Sequence, residues 1–164
     1  MFSGCSKLTQ APELPATTLA NNCYDSMFSG CLSLTQAPSL PATTLANSCY
    51  QSMFNGCKAL TKAPELPVTT LYGYCYAEMF YECSALTTAP ELPATTLADN
   101  CYARMFWRCT SLSSLKVAFT AWGNQTVYWL NSVAATGTFT CPAELPDTRG
   151  TSNIPEGWTK VDAA

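Results

Sequence analysis

The pair Met-Phe recurs at Met1-Phe2, Met27-Phe28, Met53-Phe54, Met79-Phe80 and Met105-Phe106, 26 residues apart each time. A fixed period of this length constrains the fold more than any other property of the chain. Each unit is too small to bury its own apolar face, so neighbouring units must do it for one another. The unit reads MFxGCxxLTxAPELPATTLxxxCYxx, with four full copies over 1–104 and a fifth that starts at Met105 and fades after Leu115. The expected layout is therefore a repeat array over 1–115, with units starting at 1, 27, 53, 79 and 105, and a capping segment over 116–164.

Within a unit the apolar positions separate two pieces. Leu19, Ala20, Cys23, Tyr24, Met27 and Phe28 are spaced i, i+1, i+4, i+5, i+8, i+9, a stripe compatible with an amphipathic helix over 17–30. Thr17 or Thr18 would cap its start and Gly30 would close it. Leu8 to Pro15 reads as a short extended stretch, because Pro12 and Pro15 exclude a helix and Leu8, Ala11 and Leu14 recur as its inward positions. Leucines at fixed offsets in a period of this length are the mark of a leucine-rich repeat. The expectation is an α/β right-handed leucine-rich-repeat solenoid, with short parallel strands on one side and helices on the other.

The recurrent MF-x-x-C-x-x-L motif with its Pro bend resembles the BspA-like leucine-rich-repeat family of bacteria, over about 115 of the 164 residues. The unit here is longer than the commonest form of that family. The resemblance implies an extracellular or cell-surface protein, with adhesion to a host protein or another cell as one role; similar repeats also occur in phage-encoded proteins. It carries over no ligand residue, since the family offers no fixed binding motif to align. The chain itself shows no signal peptide, and Met1 falls in the repeat register, as it would in a fragment of a longer protein.

In the tail, Lys116 to Trp122 alternates as an exposed strand does, Val127 to Val133 suggests a short helix, and Ala134 to Cys141 looks extended. Asp147 to Gly157 is rich in turn residues, and Trp158 returns as an anchor. The ten cysteines suggest disulfides or metal only until their places are read. Nine form two ladders, Cys5, Cys31, Cys57, Cys83, Cys109 and Cys23, Cys49, Cys75, Cys101, on the inward face of each unit. On a helix Cys23 and Cys31 would lie roughly 12 Å apart, too far for a bond. Buried free thiols are the expectation, with cross-repeat disulfides as the alternative.

Catalysis is not expected. The chain has no histidine, which removes His-based triads and most catalytic zinc sites. There is no CxxC pair and no glycine-rich phosphate loop, so no metal, cofactor or catalytic residue is assigned. Glu13, Glu65 and Glu91 recur in equivalent positions and form a row, where glycoside hydrolysis needs a dissimilar facing pair. Asn124-Gln125-Thr126 matches a glycosylation acceptor, a pattern common by chance. A net charge of −3, with only 12% charged residues and no basic cluster, argues against nucleic acid and anionic membrane partners. No apolar run is long enough to span a bilayer.

Two surfaces remain for a partner. The outward helix positions carry small polar residues in units one and two (Asn21, Asn22, Asn47, Ser48) but Tyr72, Tyr74, Tyr81 and Trp107 further on. Tyr81 and Trp107 are equivalent in successive units, so they should sit side by side and could stack on a sugar or anchor a protein. Glu82 and Arg108 replace the closing glycine there, which points to a local backbone change. The alternative surface is the outer sheet face, marked by Gln10, Gln36, Lys62 and Thr88. The functional expectation is a non-catalytic module binding a protein or glycan. The alternative is a spacer or assembly component of a phage particle or cell-surface stalk, with self-association possible.

Overall fold

The computed structural model describes residues 1–163. Its repeats stack as successive coils, and the backbone shows it most directly. The amides of Asn22, Tyr24, Ser26, Phe28 and Gly30 donate to the carbonyls of Asn47, Cys49, Gln51, Met53 and Asn55, at 2.7–3.1 Å. The same row repeats between later coils, as in Tyr50→Cys75, Phe54→Met79, Tyr76→Cys101 and Phe80→Met105.

The helices expected over 17–30 and its equivalents are not there: among the described residues there is no α-helix, only the 3-10 helix Asn124–Thr126. The segment is a ribbon of interleaved turns. Its alternate amides, those of Cys23, Asp25, Met27, Ser29 and Cys31, bond back three residues to Ala20, Asn22, Tyr24, Ser26 and Phe28. Asn22, Ser26 and Gly30 are third in their turns and have φ of 57°, 53° and 72°, the left-handed value that a type II turn requires. A helix spends every amide inside itself; this ribbon sends half of them to the next coil. The α/β solenoid with a helical side is thus replaced by coils of turns and short extended segments.

The ribbon puts two residues in and two out, with a strict period of four. The inward pairs build the core: Phe2, Phe28, Phe54, Phe80 and Phe106 stack at 5.6–5.7 Å between ring centroids. Tyr24, Tyr50, Tyr76, Tyr102 and Trp129 form a second column at 5.8–6.4 Å. Phe28, Phe54, Phe80 and Phe106 are fully buried, each contributing about 1.5–3 kcal/mol by transfer. Beside the phenylalanine column run the thiols. Cys31, Cys57, Cys83 and Cys109 direct Sγ at the carbonyls of Phe2, Phe28, Phe54 and Phe80, at 2.9–3.2 Å. All ten cysteines are free; eight are buried, whereas Cys5 and Cys23 of the first coil are exposed, against the expectation that every ladder position faces inward. No earlier coil covers that face within the structure. Leu19 is buried and Met27 half-buried there, while their counterparts Leu45, Cys49 and Met53 are all buried.

On the opposite side the Pro-bounded segments pair only through single parallel bridges, such as Gln10↔Gln36, Gln36↔Lys62 and Thr88↔Ser114. Regular pairing starts in the fifth unit, within the stretch between Pro93 and Pro142 that carries no proline. β1 (Ser114–Lys116), β2 (Gly137–Cys141) and β3 (Trp158–Asp162) form one parallel sheet in the order β1-β2-β3. The tail continues the stack: Tyr102, Arg104, Phe106 and Arg108 donate to Gln125, Val127, Trp129 and Asn131. The strand expected at Lys116 to Trp122 lies earlier, at β1, and Val117 and Phe119 are buried. The helix expected at Val127 to Val133 is again turn ribbon, with positive φ at Tyr128 and Ser132. Trp158 is buried, and its indole donates to Ala134 O at 2.8 Å.

Candidate functional site

Outward positions of the ribbon line up from coil to coil, so a change of residue type along the sequence becomes a patch. Tyr81 and Trp107 lie side by side, centroids 5.8 Å apart and planes at 44°. Tyr128 extends the row from Trp107 at 5.6 Å and 47°. Tyr128 was not among the expected residues. It follows Trp107 by 21 positions rather than 26, so a search in the repeat register passes over it.

Charged pairs bracket the row, each bridging two coils. Arg104 bonds Glu78 at 3.2 Å and Arg108 bonds Glu82 at 2.8 Å. The Arg104 guanidinium also sits 5.6 Å from the Trp107 ring centroid, within cation–π range. The hydrogen bond to Glu82, and then the nearby Tyr81 phenol, hold Arg108 above its ordinary pKa. Glu82 and Arg108 keep φ at 58° and 61°, in the same region as Gly30 and Gly56 at 72°. The glycine replacement therefore leaves the backbone as it is elsewhere, contrary to the expected local change, because the inter-coil bonds of these amides hold the turn. Beside the pair lies a shallow pocket of about 270 Å³ lined by Lys58, Glu82, Ser84 and Arg108.

The four expected aromatics are only partly united. Tyr81 and Trp107 join the row. Tyr74 is 47% exposed, and its hydroxyl accepts from Asn100 Nδ2 at 3.2 Å. Tyr72, 39% exposed, is in no ring contact among the described residues. Of the sheet-face residues, Gln10, Gln36 and Lys62 stand in one bridged column, and Thr88 bridges on to Ser114. All four are exposed, and they present flat polar side chains. A larger groove of about 540 Å³ opens between the proline bends of coils three and four, with Pro64, Pro67, Pro90 and Pro93 as walls and Glu65 and Glu91 at its edge. Glu91 is paired with Lys116 at 3.0 Å, whereas Glu65 makes no ion pair among the described residues.

The buried thiols are poorly placed for chemistry. Desolvation pushes Cys57 and Cys109 up to about 12 and Cys49 up to about 11, which keeps the nucleophilic thiolate scarce. Comparison with protein-family models, curated proteins and solved structures returns no match.

Proposed function

We propose that the chain is a non-catalytic recognition module that binds a protein or glycan through the outward face of its fourth and fifth coils and the adjoining tail. The observation that carries this reading is the row Tyr81, Trp107 and Tyr128 flanked by Arg104 and Arg108. Tyr, Trp and Arg are the residues most enriched where binding energy concentrates. The equivalent outward positions of the first three coils hold Ser26, Ser29, Ser52 and Asn55, which meet the same packing demands without aromatic side chains. An extracellular or cell-surface setting accompanies this proposal, on the strength of the repeat motif.

The test is a screen of the purified chain against a glycan array and immobilised matrix proteins, followed by the double variant Tyr81→Ala, Trp107→Ala. Binding that disappears in the variant while thermal unfolding stays within a few degrees supports the reading. A partner that binds the variant as well as the parent overturns it. The spacer reading has one observation of its own: each coil offers its neighbour the same amide row, a construction suited to length. Screens without a partner, together with concentration-dependent self-association, would favour it.

A further inference from the structure

Lys7, Lys58 and Lys62 make no ion pair among the described residues, whereas Arg104, Arg108, Lys116, Arg149 and Lys160 each do; of the three, Lys58 alone lines the pocket beside the aromatic row. It stands at the mouth of the pocket it shares with Glu82, Ser84 and Arg108. Two cations and one carboxylate leave that pocket with an excess positive charge, on a chain whose net charge is −3. The pocket adjoins the aromatic row, because Glu82 follows Tyr81 and Arg108 follows Trp107 in the chain and both members of each pair point outward.

We propose that this surface binds an acidic glycan, with a hexuronate pyranose lying on the Tyr81–Trp107–Tyr128 row and its carboxylate turned to Lys58 and Arg108. The inference rests on the recognition reading above and narrows its ligand class. The rings touch one another at a tilt and leave no slot between them, so a protein anchor side chain has nothing to fill. A pyranose needs only a platform for its C–H face. The pocket is polar, with donors on Lys58 and Arg108, an acceptor on Glu82 and a hydroxyl on Ser84 that serves as both. That set matches vicinal sugar hydroxyls and a carboxylate, for which a guanidinium is the favoured planar partner. A neutral saccharide would leave Lys58 unanswered, and a nucleic acid would meet Glu78 and Glu82 along the same face.

The experiment is titration calorimetry on the full chain under reducing conditions, with three probes: hexagalacturonate, cellohexaose and hexaglutamate. The variants are Lys58→Met, Trp107→Ala and, as an off-site control, Tyr72→Ala. Hexagalacturonate should bind, about tenfold more tightly than cellohexaose, and weaken as salt rises. Lys58→Met should lose about tenfold for hexagalacturonate and nothing for cellohexaose. Trp107→Ala should remove both, and Tyr72→Ala neither. Equal affinity for the neutral and acidic sugars, or indifference to Lys58→Met, overturns the proposal. So does hexaglutamate binding as tightly as hexagalacturonate, which would mean charge alone is read. If no saccharide binds, yet a protein partner is lost in Tyr81→Ala, Trp107→Ala, the acidic-glycan inference falls while the recognition reading stands. If the wider screen is blank as well, both fall.

Discussion

Replacing Ser48 and Ser132 by glycine should stabilise the protein, the reverse of what the same change does inside a helix. Both residues hold left-handed backbone, φ 53° and 61°. A non-glycine residue there costs about 1–2 kcal/mol, and glycine removes that cost while adding about 0.4–1 kcal/mol of unfolded-state entropy. The net gain is about 0.5–1 kcal/mol per site. The sites lie on coils far apart in the stack, so the double variant should add to about 1–2 kcal/mol. The Ser48 amide keeps its bond to Gly73 O at 3.0 Å in either form. The Ser132 hydroxyl gives up only its exposed contact with Asn131. For a chain of this size the melting temperature should rise by roughly 2–8 °C, measured by calorimetry with reductant present. Helical segments at these positions would give the opposite sign, a loss of a few tenths to about 0.5 kcal/mol per serine-to-glycine change. A lowered melting temperature would therefore refute the turn-ribbon account, since no turn of this kind prefers serine.

Phe54→Ala, which breaks the contacts with Phe28 and Phe80 in a fully buried column, should cost about 3–5 kcal/mol in urea unfolding; Phe2→Ala, at the half-buried end, should cost clearly less, and equal losses would mean the column is not the core. Tyr50 is buried with a hydroxyl that has no hydrogen-bond partner among the described residues, so Tyr50→Phe should raise stability by about 1 kcal/mol or more; a loss would reveal a partner for that hydroxyl. The stability carried by the buried thiols should be fully present below pH about 8.5, where the unfolded chain also keeps its thiols protonated. It should then fall as pH rises toward the folded values of about 11 for Cys49 and about 12 for Cys57, because the unfolded state releases protons that the native state retains. A urea midpoint unchanged between pH 8 and pH 10 in reductant would contradict this. Brief alkylation of the native protein followed by peptide mapping should label Cys5 and Cys23 ahead of the buried eight, and uniform labelling would count against the assigned burial.

The sequence made the period and the inward columns plain, and it hid the backbone that joins them. Apolar pairs at 19–20, 23–24 and 27–28 fit a helix if only their approximate spacing is weighed. A helix turns about 100° per residue, so a strict period of four drifts by about 40° at each step. Over 19 to 31 the pattern never slips to three, and that constancy belongs to a structure that repeats every four residues. Residues tolerant of left-handed backbone gave a second sign: Asn22 and Gly30 fit, as do Gly4 and Gly56. Tyr74, Glu78, Arg104 and Tyr128 do not, and there the inter-coil bonds override local preference. The site was half legible for the same reason. Tyr81 and Trp107 are found by counting 26, whereas Tyr128 and Lys58 require knowing how the ribbon turns and where the tail shortens its step.

The ribbon's amide row runs one way: its donors all look toward the later coil and its acceptors toward the earlier one. A middle unit is thus a plug on one side and a socket on the other, identical at every joint. In-frame duplication or deletion of 26 residues inside the array leaves every joint matched, so such genes can lengthen or shorten the protein without rewriting its interior. A unit inserted in reverse would set plug against plug.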